Sequence, residues 1–163
     1  DTTIPDFLDT LYGEAEGRVS VWWRAQPGSK SPYSEHAWFS WPSHREDLVD
    51  FVASLSDKDV CVTTTTYTQD RRTPEYADKT QAIWMDSDLC HGDNYRVAPT
   101  WTVATSAGRW QHFWALEEPV SAEQASELAH RMSIAHQKNG ADPSSWPANK
   151  IMRVPGTMNT SHG

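Results

Sequence analysis

Basic residues are scarce in this chain. Fourteen Lys and Arg stand against 22 Asp and Glu, a formal charge of -8, which counts against a protein held on nucleic acid by electrostatics alone and leaves room only for local or metal-assisted contacts. Cysteine is nearly absent. Cys61 and Cys90 lie 29 positions apart, without the CxxC spacing of a zinc site or a disulfide framework, and so point to a reducing cytosol. No apolar run reaches 18 residues, so nothing in the sequence is expected to cross a membrane. There is no signal-peptide pattern after Asp1, and the abrupt end at Ser161-His162-Gly163 reads as a module cut from a longer protein. Neither an internal repeat nor a shift in composition divides the 163 residues, so 1–163 is read as one domain.

What is present is aromatic and amphipathic. Nine Trp and 37% apolar residues argue for a folded globular unit. IPDFLDTLYG places Phe7, Leu8, Leu11 and Tyr12 at helical spacing before Gly13. Residues 18–25 and 36–41 read as strands joined by a Pro/Gly/Ser-rich loop. Ser43 and Glu46 form a capping-box pattern ahead of Leu48, Val49, Val52 and Leu55, predicting a helix that ends near Ser56. Residues 59–69 are β-rich, QAIWMDSDL is a further strand, and 100–106 with 110–119 read as a hairpin around AGR. Ser121 and Gln124 make a second capping box. It opens a helix with a stripe of Ala125, Leu128, Ala129, Met132 and Ala135, closed by Gly140. KIMRV is a short last strand. Mixed helices and hairpins give an α+β class with a largely antiparallel sheet flanked by helices.

Asp86 and Asp88 sit two apart on one strand, so they share a face at roughly 6 to 7 Å. Like charges at that distance repel unless a cation lies between them, and hard divalent ions prefer such oxygen ligands. On spacing alone, a strand end running out into water is the more ordinary reading. On the hairpin, His112 falls in register with Trp110 and Trp114, with Ser106, Gly108 and Arg109 at or beside the tip. An imidazole N–H and a guanidinium there suit a phosphate oxygen. A third cluster follows the capped helix, with Asp142 first, then Lys150 and Arg153 on the short strand before Pro155-Gly156.

WMDSD, SAGRWQH and MRVPGTMN, in that order and at these separations, resemble the catalytic domain of the archaeo-eukaryotic primase superfamily. The closer likeness is to the primase-polymerases of phage and plasmid replication proteins. That group shows a D-x-D or D-x-E pair, a serine-to-histidine segment and a third aspartate, and often an R-x-P-G-T-x-N segment. The likeness spans about residues 60–160.

It implies an RRM-like catalytic core that binds two divalent ions, Mg²⁺ or Mn²⁺, through Asp86 and Asp88, with Asp142 as the candidate third ligand. It implies that His112 contacts the phosphates of the incoming nucleotide. Arg153 would help to hold the triphosphate, with Ser106, Arg109 and Lys150 as further candidates. Five residues separate Ser106 from His112, a departure from a compact S-x-H.

The implied reaction is template-directed nucleotidyl transfer, primer synthesis or DNA polymerisation, in phage or plasmid replication. The implied partners are a DNA template, a primer strand and nucleoside triphosphates, with a helicase domain in the same full-length chain, in the cytoplasm of a bacterial host. Arg71, Arg72 and Arg96 are candidate phosphate contacts, and Trp110 and Trp146 candidate base-stacking residues. Two rivals stay open: a module that binds nucleotide or single-stranded DNA without turnover, and a metal-dependent phosphodiesterase or nuclease. With no H-x-H pair, a relaxase is disfavoured.

Overall fold

Helix α1 (Thr3–Tyr12) buries Ile4, Phe7, Leu8, Leu11 and Tyr12, one stripe of its amphipathic surface. In this computed structural model, which describes residues 3–28, 31–88, 95–106 and 108–157, α1 is followed by β1 (Gly17–Trp23), β2 (Glu35–Trp41), α2 (Arg45–Ser54) and β3 (Val60–Thr63). Next come β4 (Lys79–Asp88), β5 (Trp101–Ser106), β6 (Arg109–Ser121), α3 (Ala122–Ala135) and β7 (Ile151–Arg153). Short 3₁₀ turns lie at Pro74–Tyr76 and Gln137–Asn139.

The α+β class and the antiparallel pairing are as expected, but the strands divide into two sheets. One has the order β2-β1-β3-β7 and the other β4-β6-β5, with antiparallel pairing throughout. Threonine makes the division. Only Val60–Thr63 of the β-rich run is strand, and Thr64, Thr65 and Thr66 are a fully buried connection. Their polar groups are satisfied outside any ladder. Thr64 N–H donates to Lys150 O at 3.2 Å and Thr66 N–H to Lys79 O at 2.7 Å. Thr65 Oγ1 donates to Ala148 O at 3.2 Å. Hydroxyls that serve nearby carbonyls let a polar backbone leave one sheet and enter the next without stranding donors.

Helix α2 packs on the first sheet, and α1 and α3 pack on the second. Phe7 of α1 meets Phe113 and Trp101 of the second sheet edge to face, at 5.1 and 5.9 Å between ring centroids. Phe51 of α2 packs against Trp23 and Phe39 of the first, at 5.4 and 5.2 Å. Such pairs add directional attraction to the burial of large apolar area.

Two helix expectations need correction. α2 has His44 at its N-cap with no side-chain cap bond, so the Ser43/Glu46 pattern does not form a capping box. Arg45, the first residue of α2, instead holds Asp9 through Nε at 2.7 Å and Nη2 at 2.8 Å. On α3 the Ser121/Gln124 box is present in full. Its buried face, however, is Ala122, Ala125, Ser126, Ala129 and Ser133, with Leu128 43% exposed. Small residues face the sheet there and let the helix approach closely, so the stripe is rotated from the apolar one. The helix ends at Ala135, and Gly140 closes the 3₁₀ turn beyond it at φ 100°, a conformation glycine adopts at no steric cost.

Candidate active site

A cleft of about 410 Å³ opens where the two sheets meet, and its lining includes Asp86, Asp88 and Asp142. Antiparallel partners share a face, and Asp86 stands opposite Gln111, Asp88 opposite Arg109. β4 thus contributes two carboxylates and β6 an amide and a guanidinium to the same surface. Asp142 arrives from the chain beyond α3 through backbone bonds. Its N–H donates to Asp86 O at 2.8 Å and Asp88 N–H donates to Gly140 O at 2.8 Å, with a bridge between Ser87 and Ala141. Segment 140–142 behaves as a short extension of β4's edge.

The three carboxylates are held differently. Asp86 Oδ2 pairs with Lys150 Nζ at 2.8 Å, while its Oδ1 is buried with no hydrogen-bond partner. Asp88 is exposed and lies 3.5 Å from Arg109 Nε. Asp142 Oδ1 accepts from Ser144 N–H at 2.9 Å and Ser144 Oγ–H at 2.7 Å. A buried anionic oxygen without a donor is an unusual thing to leave in a folded chain, and it fits a cation. Among the described residues no group of three or more His, Cys, Asp and Glu side chains is gathered as a ready-made ion cage.

Arg153 lines the same cleft but is buried rather than reaching out. Nη1 pairs with Asp59 at 3.1 Å and Nη2 donates to Tyr33 Oη at 3.0 Å. Its backbone N–H donates to Gln111 Oε1 at 2.8 Å, a bond that ties β7 of the first sheet to β6 of the second. Cys61 lies beside it, its thiol pKa raised by burial, an effect partly offset by the Arg153 charge. Ser106 also lines the cleft, and its Oγ is buried with no partner.

His112 requires a correction. It has no exposed surface and is absent from the cleft lining, because it pairs with Met85 on the opposite face of the sheet from Asp86. Its Nδ1 meets Thr102 Oγ1 at 3.0 Å, and Tyr95 packs against both His112 and His136, at 5.0 and 4.7 Å. The loop arginines are likewise engaged: Arg72 stacks over Trp22 at 4.4 Å and Arg71 over Tyr76 at 5.8 Å. Trp110 lines the cleft, whereas Trp146 stacks on His130 at 4.5 Å beside a separate groove. Cys90 and the residues from 158 onward, including the end of the R-x-P-G-T-x-N segment, lie outside the described residues.

Residues 70–163, more than half of the chain, match the family described as the RepB DNA-primase N-terminal domain. The chain belongs to that family. No curated protein matches it. Among solved structures, primase RepB' is similar at a TM-score of 0.64 and 15% identity, covering 98% of this chain and 50% of that one. The catalytic domain of primase RepB' in complex with initiator DNA follows at 0.62 and 14%, covering 98% and 79%. The AEP domain of the cyanophage S-2L primase-polymerase gives 0.64 and 14%, covering 98% and 83%. At these identities the likeness shows the fold: the two antiparallel sheets and three helices found among the described residues match those primase and AEP structures. This RepB-family domain spans about half the length of the RepB' chain.

Gln111, Tyr33, Cys61 and Thr105 line the cleft of this RepB-family domain without having been singled out in the sequence. For Gln111 a signal existed. It shares parity with Arg109 along β6, so any reading that put Arg109 at a phosphate site placed Gln111 there and His112 behind it. Tyr33 and Cys61 carried none, since their approach depends on how the first sheet meets the second. No helix among the described residues is long and apolar enough to cross a membrane.

Proposed function

We propose that this domain catalyses template-directed nucleotidyl transfer for DNA primer synthesis, with the 410 Å³ cleft as its active site. The observation that carries the proposal is the meeting of Asp86, Asp88 and Asp142 with Arg109, Gln111 and Lys150 in one cleft of a RepB-family primase domain. Carboxylates and cationic groups interleaved on one cleft surface match the needs of metal-assisted phosphoryl chemistry, in which positioning and electrostatics do most of the work.

Bound Mg²⁺ or Mn²⁺ would supply the positive charge that activates a primer hydroxyl and neutralises the departing pyrophosphate. Asp86, with its partnerless Oδ1, is the principal candidate ligand, and Asp88 and Asp142 are its neighbours. Such ions commonly use one or two carboxylates and complete their shells with water and substrate phosphate, which accords with the absence of a three-ligand cage among the described residues. In this reading Gln111 takes the place expected of His112. Its Oε1 is committed to Arg153 N–H, so its amide NH₂ is the group available to a phosphate oxygen. Arg109, 3.5 Å from Asp88, adds a positive charge at the rim. Arg153 holds the sheets together and shapes the pocket, and Ser106 offers a hydroxyl. Trp110 supplies an aromatic surface for a base, and the single-stranded template passes over the cleft mouth.

The test is synthesis on a primed and an unprimed single-stranded DNA template, with ribo- and deoxynucleotides and with Mg²⁺ or Mn²⁺ in turn. Asp86→Ala with Asp88→Ala is expected to lower product by at least about a thousandfold while the circular dichroism spectrum stays unchanged. Full synthesis by that folded double variant would sink the assignment, and degradation of DNA without added nucleotides would replace it with a nuclease.

A further inference from the structure

We propose that Lys150 is an exchangeable counter-ion: it neutralises Asp86 until a divalent cation displaces it, and the released ammonium then engages the triphosphate. The inference rests on the functional reading above and adds a binding order to it.

Lys150 Nζ lies 2.8 Å from Asp86 Oδ2, and the two side chains are 29% and 24% exposed. The other oxygen of the same carboxylate is buried and partnerless. One ammonium therefore balances a carboxylate that it satisfies on one side only. A divalent ion carries twice the charge and accepts oxygen ligands in several directions, so it can serve both oxygens where Lys150 serves one. The lysine is also built to move while its backbone stays. Its N–H donates to Pro147 O at 3.0 Å, and its carbonyl accepts from Thr64 N–H and Thr64 Oγ1, each at 3.2 Å. Beyond that anchor runs a flexible four-carbon stem with a compact charge at its end. The neighbouring cation on this face is unsuited to the exchange: Arg153 is buried against Asp59 and Tyr33. Since the cleft also holds Arg109 and Gln111, an ammonium leaving Asp86 stays within the region where polyphosphate oxygens would lie.

Exchange gives Lys150 opposite effects on two ligands, and a merely structural lysine does not. Lys150→Met keeps the apolar stem and removes the charge. Mn²⁺ binding, read as free Mn²⁺ by electron paramagnetic resonance at about 0.3 M salt so that longer-range charge is screened, is expected to tighten about fivefold in Lys150→Met. A nonhydrolysable nucleoside triphosphate, added with Mn²⁺ saturating, is expected to bind at least about tenfold more weakly to the same variant. Lys150→Gln repeats both measurements should the methionine variant fail to fold by thermal melting, and Asp86→Asn abolishes the Mn²⁺ binding, leaving the free-ion signal at its protein-free size, if that binding is at this site. Unchanged or weaker Mn²⁺ binding in the folded Lys150 variants overturns the exchange, as does undiminished triphosphate binding. Absence of Mn²⁺ binding in the wild-type protein overturns the functional reading as well, so the two failures are told apart.

Discussion

Gln111 and His112 are adjacent in sequence and separated by the thickness of a sheet. Gln111 borders the cleft and its Oε1 accepts the Arg153 N–H. His112 is wholly buried against Tyr95 and Trp114. Their alanine variants are therefore expected to fail in different ways. On the proposed reading, Gln111→Ala removes a donor to a charged phosphate and is expected to lower kcat/KM about ten- to a hundredfold, and to cost about 1 kcal/mol of stability through the unpaired backbone N–H. His112→Ala leaves a cavity, at about 2 to 3 kcal/mol, and is expected to leave kcat/KM of the folded fraction little changed. Steady-state kinetics beside urea denaturation separates the two. Had His112 been the phosphate ligand, the kinetic loss would fall on it instead.

At the level of elements, one sequence pattern occurs twice and works once. Ser121 Oγ accepts Gln124 N–H at 3.1 Å, and Gln124 Oε1 accepts Ser121 N–H at 3.3 Å, so α3 starts where its local sequence says. Ser43 and Glu46 carry the same signal, yet α2 begins at Arg45, whose guanidinium is drawn to Asp9 of α1. The N-cap position falls on His44, one residue past Ser43, and Glu46 pairs with Arg45 rather than reaching back to a cap. Ser121→Ala is accordingly expected to lower unfolding free energy by about 1 kcal/mol and Ser43→Ala by less than about 0.5 kcal/mol, both measurable by chemical denaturation. Equal losses would mean that Ser43 caps α2 in solution. Strand and hairpin positions were legible because alternation and turn residues are local. The rotated face of α3 was not, because small residues rather than large ones meet the sheet.

Across the whole molecule, buried acids of high pKa set an alkaline limit to stability. Burial raises Tyr67 from 10.0 to about 12 and pushes Tyr12 and Tyr33 further up, while Cys61 is raised chiefly by burial as well. Each holds its proton in the fold more tightly than in the unfolded chain. Their contribution is therefore fully present below the unfolded values, near 8.5 for Cys and 10 for Tyr, and is lost as pH rises above them. Unfolding free energy measured in urea is expected to fall steadily from about pH 9 upward, with Tyr67→Phe flattening the fall between about pH 10 and pH 12. An unchanged profile in that variant would mean that Tyr67 titrates normally in the fold.

The sequence by itself determined the periodic features: the helix of α1, the β5–β6 hairpin, the shared face of Asp86 and Asp88, and the α+β class. Each follows from repeats of 2 or 3.6 residues and from turn chemistry, which act over a few positions. Only the tertiary structure decided which face of β6 belongs to the cleft, since alternation gives parity within a strand and the pairing of Asp86 with Gln111 gives it absolute direction. It also decided the standing of the charges. Lys150 meets Asp86, Arg153 meets Asp59, and Asp142 joins Asp86 through the backbone, because pairing depends on approach in space between residues dozens of positions apart. The two aspartates on one strand became a candidate ion site through one buried oxygen and the lysine opposite it, and neither is visible in their spacing.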